Sequence, residues 1–154
     1  MAWIRQLISF SITLGIVLGL LIYAPRWQRE HLAAGFNDID RFDPEAGFFS
    51  DRGVPFQALK PGDAILFRSG DRAGAQLAVG WVAAVAGDEV AIRGKQIVVG
   101  GKPARGGPVE RPDTPAVVVP DGRIYVVSDR HQTDSVANGF LPAVAYIGKL
   151  GSLP

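Results

Sequence analysis

The chain has 154 residues and a formal net charge of +1, with 16 Lys and Arg against 15 Asp and Glu. This balance, without a long run of like charge, argues against nucleic-acid binding. The chain has no cysteine, which excludes disulfides and thiolate metal sites, and its two histidines, His31 and His131, are far apart in sequence. The composition therefore predicts no metal, no cofactor and no nucleic-acid partner, and it is compatible with an oxidising compartment as well as with the cytosol.

Residues 1–27 are predicted to form an N-terminal transmembrane anchor. The run at 4–24 is rich in Leu and Ile and has its only charged residue near its start. At a rise of 1.5 Å per residue, about 20 helical residues span a hydrocarbon core of about 30 Å. Trp3 at one end and Tyr23 and Trp27 at the other fit the two membrane interfaces. The alternative is a cleaved signal peptide, which the lack of a clear small-x-small cleavage site disfavours.

Two glycines inside this run, Gly15 and Gly19, have the G-x-x-x-G spacing that lets membrane helices approach closely. They are predicted to form a face that packs against a partner helix. The charge distribution defines the orientation only weakly, because Arg26 and Arg29 on the C-terminal side exceed Arg5 on the N-terminal side by a single residue. That difference indicates a cytoplasmic location for the rest of the chain.

Residues 28–53 are predicted to be a juxtamembrane tether that is partly helical. Leu32, Phe36 and Ile39 recur at near-helical spacing, which indicates a short helix. The stretch that follows is poorly periodic and contains Gly and Pro. Its aromatic residues are expected either to pack inside the chain or to contact a partner, and they are Phe42, Phe48 and Phe49.

Residues 54–154 show short apolar runs between Gly, Pro and Asp, a pattern that is typical of strands and turns. Seven strands are predicted, at residues 63–69, 76–88, 89–94, 95–101, 116–120, 123–129 and 144–150. Turn signals at near-regular spacing indicate an all-β barrel or sandwich of short strands. The Gly- and Pro-rich segment at 100–115 is predicted to be an exposed loop. The fold class is therefore mainly β, with one N-terminal transmembrane helix followed by a small β domain.

Five segments of this β domain occur in an order that is found in a known family. They are "LKPGDAILF" at 59–67, "GWVAAVAGDEVAI" at 80–92, "QIVVGGKPA" at 96–104, "IYVVSDRHQTDSVANGFLP" at 124–142 and "AYIGKL" at 145–150. The set resembles the signal peptidase I family, the Ser/Lys membrane proteases of clan S26, including their relatives that process conjugative pilins. The resemblance begins at about Val54. It implies a signal-peptidase-like β domain on the periplasmic face of the bacterial inner membrane, and we give it more weight than the charge difference.

The resemblance also implies where catalytic residues should lie. In such a protease a serine hydroxyl attacks the carbonyl carbon, and a neutral lysine accepts the hydroxyl proton. The family's spacing from the Gly-Asp turn at 62–63 places the nucleophile at Val54, and the spacing from the turn at 87–88 places the general base at Gly80. Valine cannot attack a carbonyl and glycine cannot accept a proton, so the sequence predicts a pseudoenzyme. Lys60 could replace the base only if buried, and its turn indicates exposure.

Two serines are candidates for a displaced nucleophile. Ser50 lies upstream of the expected position, and a shift of register could bring it into place. Ser135 follows Asp134 in the segment that matches the family's Asp-Ser-Arg, with Val136 in place of arginine. His131 would complete the residue types of a triad, but triad members must converge from different directions, which neighbours on one short segment do not. Asp134 and Ser135 are instead predicted to cap or hold their loop through hydrogen bonds to the backbone.

The sequence therefore predicts a non-catalytic, signal-peptidase-like membrane protein that acts as an accessory, structural or assembly subunit of a larger membrane protein complex. Its expected partners are the membrane and other protein subunits. The candidate partner contacts are Trp81, Phe48, Phe49, Gly15 and Gly19, although Trp81 fits the core equally well. Two alternatives stay open. One is a membrane-anchored S26-type serine peptidase with a displaced nucleophile, and the other is a protein that binds signal-peptide-like segments without cutting them.

Overall fold

The structure is a computed structural model that describes residues 2–31, 39, 47–70 and 76–151. Within these ranges the chain forms two α-helices and eleven β-strands. The helices are α1 (Ala2–Tyr23) and α2 (Ser135–Asn138). The strands are β1 (Trp27–Glu30), β2 (Phe48–Asp51), β3 (Ala64–Ser69), β4 (Gln76–Val85), β5 (Glu89–Arg93), β6 (Gln96–Val99), β7 (Lys102–Pro103), β8 (Val117–Val118), β9 (Arg123–Val127), β10 (Leu141–Pro142) and β11 (Tyr146–Leu150).

The strands pair in antiparallel fashion and form two sheets. The larger sheet has seven strands in the order β1-β2-β11-β3-β4-β9-β10, and the smaller has four in the order β7-β6-β5-β8. The chain passes from the first sheet to the second at the β4–β5 turn, where Gly87 has a φ of 89° that favours glycine. The predicted mainly β class is confirmed, and each of the seven predicted strands is present, as β3, β4, β5, β6, β8, β9 and β11.

One hydrophobic core joins the two sheets, and we call it the inner core. Successive residues of a strand point to opposite faces, so alternate residues of the large sheet contribute to it. Leu66 of β3 and Val79 of β4 pack there with Val90 and Ile97 of the small sheet. Two sheets that pack face to face through alternating apolar residues form a sandwich, one of the two architectures that the turn spacing predicted.

A second hydrophobic core lies on the opposite face of the large sheet, and we call it the outer core. Its buried members are Leu59, Ile65, Phe67, Ala78, Val82, Ile124, Val126 and Leu141. Val54, Phe56 and Tyr146 cover part of it, and the rings of Phe56 and Tyr146 meet edge to face with centroids 6.0 Å apart. Beside it, Lys149 of β11 forms an ion pair of 2.6 Å with Asp63 at the start of β3.

The large sheet begins earlier in the chain than the sequence predicts. Strand β1 begins at the last residue of the predicted anchor and continues into the predicted tether at 28–53, which also contains β2. The two strands pair with each other, and β2 also pairs with β11. Arg26 donates to both carboxylate oxygens of Asp51 at 2.5 and 2.8 Å, which joins the end of α1 to β2. The hydrogen bond from Arg26 lowers the pKa of Asp51 despite its burial. This pairing depends on residues that are far apart in sequence, so local periodicity did not indicate it.

The aromatic residues of the predicted tether differ in their surroundings. Phe48 is buried in the inner core, while Phe49, its neighbour on β2, is 58% exposed. Ile39 is also buried in the inner core. The predicted juxtamembrane helix around Leu32 and Phe36, and the position of Phe42, lie outside the described residues.

The N-terminal segment is helical as predicted, because α1 covers almost the whole of the apolar run. Within the described ranges, however, no helix combines the length and the apolar character that crossing a membrane requires. The helical part of the predicted anchor is thus confirmed, and its crossing of a membrane is not. Gly15 and Gly19 lie on this helix with open space around them.

The segment at 100–115 also departs in part from the prediction. It is largely exposed, as expected for a loop rich in Gly and Pro. Lys102 and Pro103 nevertheless pair with β6, and Val109 is 1% exposed because it packs in the inner core. The loop therefore closes one side of the sandwich.

The placement of the inner core predicts different effects for two neighbouring valines. Val119→Ala is expected to lower the free energy of unfolding by about 2 kcal/mol, because Val119 is 1% exposed and removal of its two methyl groups leaves a cavity in the core. The matched control Val118→Ala, at a side chain that is 53% exposed, is expected to change it by less than about 0.5 kcal/mol. Urea denaturation followed by circular dichroism measures both. Equal losses would contradict the assignment of Val119 to the core.

Candidate functional site

Val54 and Gly80, the two positions at which the sequence resemblance predicts the catalytic dyad, both lie at the outer core. Gly80 is in the middle of β4, opposite Ile65 of β3. A Cβ atom added to Gly80 would point at Phe67 and Val126, which are both members of the outer core. Val54, in the turn after β2, packs against the same cluster. The fold therefore places both positions against one set of apolar side chains.

The position of Gly80 has no space for a side chain. An added Cβ would lie 2.6 Å from Cγ1 of Val126 and 2.9 Å from the carbonyl oxygen of Val127. Distances this short require the neighbouring atoms to move, and the second of them belongs to the backbone of the adjacent strand β9. A lysine here would therefore need a different packing of β4 against β9.

The backbone at Val54 is held by a tyrosine. The hydroxyl of Tyr146 donates to the carbonyl oxygen of Val54 at 3.1 Å. Burial, with the nearby carboxylates of Asp51 and Asp63, raises the pKa of Tyr146 to about 12. The phenol therefore stays protonated at neutral pH, where it acts as a hydrogen-bond donor and not as a base.

Ser50 is fully buried on β2, and its hydroxyl donates to the carboxylate of Glu30 at 3.4 Å. The neighbouring strand β11 carries Lys149, but the register pairs Ser50 with Leu150 and Asp51 with Lys149. Because successive residues of a strand point to opposite faces, Ser50 and Lys149 lie on opposite sides of the sheet. The ammonium group of Lys149 is paired with Asp63. The Ser50 hydroxyl is therefore hydrogen-bonded to a carboxylate, and Lys149 is not placed to act as its base.

Asp134 is the centre of a buried polar network. Its Oδ2 accepts hydrogen bonds from the backbone N–H of Ser128 at 2.8 Å, from the Ser128 hydroxyl at 3.1 Å and from Nδ1 of His131 at 2.6 Å. Its Oδ1 accepts from the backbone N–H of Val136 at 2.9 Å, which caps α2. The predicted capping role of Asp134 is confirmed. A buried carboxylate with this many donors is fully satisfied as an anion.

Ser135 lines a cleft of about 680 Å³ between the end of β3 and α2. Its side chain is directed inward, and its hydroxyl oxygen accepts a hydrogen bond from the backbone N–H of Val126 at 2.9 Å. The two ring nitrogens of His131 bond instead to Asp134 and to the carbonyl oxygen of Gly107. The three triad residue types therefore lie close together without the nucleophile–base hydrogen bond that a triad needs.

His131 joins two loops through its side chain, which is only 8% exposed. It adopts a left-handed backbone conformation with a φ of 53°, and its Nε2 lies 2.8 Å from the carbonyl oxygen of Gly107. Burial acts to lower the pKa of His131, but the hydrogen bonds to Asp134 and Gly107 outweigh it, so the pKa lies above its ordinary value of 6.5.

Trp81, a candidate partner contact, is 5% exposed and packs in the inner core. The guanidinium of Arg105 lies over its ring, 4.4 Å from the centroid. Phe48 is buried in the same core, so the predicted partner contacts at Trp81 and Phe48 are corrected to core positions. Phe49 keeps an exposed ring. Sequence reasoning missed Arg105, because nothing local pairs a loop arginine with a strand tryptophan.

Lys60 is exposed, as its turn predicted. Its backbone N–H donates to Asp63 at 3.0 Å, which closes the turn before β3. Within the part of the chain that the structure describes, no three His, Asp or Glu side chains are grouped closely enough to hold a metal ion.

The closed position at Gly80 predicts a measurable cost for a single methyl group. Gly80→Ala is expected to lower the free energy of unfolding by about 2 kcal/mol, because the methyl group collides with the side chain and backbone of β9. The control is Gly151→Ala, where the nearest atom would be 3.7 Å away in ordinary contact. Thermal and urea denaturation compare the two. A Gly80→Ala variant as stable as the parent would contradict the closed packing.

The network around His131 predicts a pH-dependent contribution to stability. Because the pKa of His131 is raised on folding, its contribution is fully present below the unfolded value of 6.5 and is lost as the pH rises through the folded value. The stability difference between the parent and His131→Asn should therefore be largest in mild acid and shrink towards alkaline pH. Asn tolerates the left-handed backbone. The control is the exposed His31→Asn, and a difference that grows with pH would refute the prediction.

The chain matches one protein family across most of its length. The sequence model of the family described as "Signal peptidase, peptidase S26" matches residues 11–152. A comparison with curated proteins gives no match. Among solved structures, a signal peptidase I from Enterococcus faecalis V583 is similar with a TM-score of 0.47 and 17% sequence identity, over 60% of this chain and 96% of that chain. On the match of the family model, the chain belongs to the signal peptidase family, peptidase S26.

Proposed function

We propose that this chain is a non-catalytic member of the S26 family, which acts as an accessory, structural or assembly subunit of a larger membrane protein complex. The observation that carries the proposal is the packing at Gly80. The position where the family pattern requires a lysine has neither an ionisable side chain nor the space for one. A Ser/Lys mechanism needs both a hydroxyl and a neutral amine within hydrogen-bond reach.

The contacts of the remaining serines support the same conclusion. Ser50 donates to the carboxylate of Glu30, and Ser135 accepts from a backbone N–H of β9. Each hydroxyl thus has a structural partner in a buried place, where removing it would leave an unpaired polar group. These contacts favour a role in folding over a role as a displaced nucleophile.

Helix α1 supports attachment of the chain to a membrane. Ile16, Val17 and Leu18 are consecutive, so their side chains point about 100° apart around the helix, and they are 59%, 46% and 49% exposed. A protein groove covers one side of such a helix, whereas lipid covers every side. Trp3 and Tyr23, near its two ends, are also exposed and suit the interfacial zones of a bilayer.

We place the β domain on the periplasmic face of the bacterial inner membrane. Membership of the signal peptidase family and the absence of cysteine from the sequence support this location. The small excess of arginine on the C-terminal side of the helix weighs weakly against it. The exposed Phe49 and the Gly15/Gly19 face of α1 are the contacts that we propose for partner subunits.

The experiment is extraction of the tagged full-length chain from membranes at native abundance, first with high salt and then with a mild detergent. We expect release only by detergent, because apolar contacts with lipid do not weaken in salt. A native gel followed by mass identification should then show a large complex of fixed stoichiometry. A monodisperse monomer without partners would refute the accessory role.

Two sets of variants separate the possible explanations. The Ser50→Ala, Ser135→Ala double variant should still join the complex and keep its biological activity, provided that it folds. Loss of activity in a folded double variant would favour a serine peptidase. Gly15→Val with Gly19→Val should weaken the complex if this helix face contacts a partner. The control Val17→Ile enlarges a side chain on the opposite side of α1 and should leave the complex intact.

A further inference from the structure

A short loop crosses the edge of the inner core beside Trp81, and we call it the 104–109 loop. Its two ends are tied to the small sheet, since the N–H of Ala104 donates to the carbonyl of Ile97 and the N–H of Val109 donates to the carbonyl of Lys95, both at 2.8 Å. Val109 is buried in the inner core. The ends of the loop are therefore fixed independently of its centre.

The centre of the loop rests on the segment that follows β9. The N–H of Gly107 donates to the carbonyl of Ser128 at 3.3 Å, which is long for such a bond. An added Cβ on Gly107 would lie 2.1 Å from the carbonyl oxygen of Asp129, so only glycine fits this approach. Two residues earlier, Arg105 covers the ring of Trp81. The position of the loop centre therefore decides whether Trp81 is covered.

A further contact at the loop centre is the one with His131. Its Nε2 faces the carbonyl oxygen of Gly107 and its Nδ1 faces the carboxylate of Asp134, and both of these partners are acceptors. A doubly protonated imidazolium can donate to both at once. A neutral imidazole keeps one proton. It keeps that proton towards the carboxylate because charge-assisted hydrogen bonds are the stronger ones. The lone pair of Nε2 then faces the oxygen of Gly107, and the contact becomes repulsive.

We propose that His131 is a pH-sensitive contact that holds the 104–109 loop over Trp81 when protonated and releases the loop centre when it loses its proton. Release moves Arg105 away from Trp81 and opens the edge of the inner core to solvent. This pH-sensitive contact does not depend on whether the chain is a peptidase, so the inference does not rest on the proposed function.

The groups around His131 determine how strongly the ring holds its second proton. Asp134 on the side of α2 and Asp129 in the adjoining turn both favour the imidazolium, together with the Gly107 carbonyl on the loop, while burial opposes it. Their combined effect raises the pKa of His131 above 6.5, so the imidazolium persists to a higher pH than that of a free histidine.

The test uses the full-length chain with Trp3→Phe and Trp27→Phe, which leaves Trp81 as the only tryptophan. Its emission maximum and its quenching by acrylamide are measured from about pH 5 to about pH 9, a range that brackets histidine titration. The titration of His131 is followed in the same samples by NMR of the imidazole, with His31→Asn to assign the signals. Arg105→Gln in this background is the reference for an uncovered ring.

We expect the quenching constant of Trp81 to rise about twofold and its emission to shift to the red as the pH increases, since a nearly buried ring gains contact with solvent. The midpoint of the change should equal that of the His131 titration. His131→Asn should give high quenching at every pH, close to that of Arg105→Gln. A quenching constant of Trp81 that does not change through the His131 titration would overturn the proposal. A His131→Asn variant whose quenching constant rises with pH as in the parent would also overturn it. If His131→Asn does not fold, the proposal is tested in the parent alone, by comparing the midpoint of the Trp81 quenching change with that of the His131 titration.

Discussion

The contact between β4 and β9 at Gly80 determines how both cores are built. Because Gly80 has no side chain, Phe67 and Val126 close over it and complete the outer core, while Trp81 turns to the inner core on the other face of the strand. Gly80 is also the position at which the family resemblance predicts a lysine base. The packing of the sheet depends on this missing side chain, since a lysine at this position and the observed position of β9 exclude each other.

A second region depends on a buried carboxylate. Asp134 binds the backbone after β9, the start of α2 and the ring of His131, so one side chain holds three segments that have little regular structure of their own. Such a network is stabilising while every group is paired, and it becomes costly when one partner changes its charge. Histidine is the side chain whose ordinary pKa lies nearest to neutral pH, and His131 is the histidine of this network. The loop that it contacts is therefore the part of the domain whose position we expect to respond to pH.

Membership of the S26 family identifies the fold, but whether the chain catalyses a reaction depends on the residues at the site. A sandwich with Gly-Asp turns folds for reasons that are independent of proteolysis, so a domain can keep the fold without the reaction. The proposal of a non-catalytic subunit follows from local contacts, namely the closed position at Gly80 and the structural partners of Ser50 and Ser135. The exposed apolar helix α1 adds a surface that needs a covering of lipid or protein.

The sequence by itself determined the features that depend on neighbours along the chain. Strands β3 to β6 and β9 follow from apolar runs bounded by turn residues, and Asp134 caps α2 through a bond to the backbone only two residues away. The tertiary structure alone decided the features that join distant residues. Strand β1 has no apolar alternation and exists because β2 pairs with it, and the burial of Trp81 depends on Arg105 and on the opposite sheet. The closure at Gly80 likewise depends on Val126 and Val127, whose approach no local pattern encodes, because packing distances between strands are set only when the whole sheet forms.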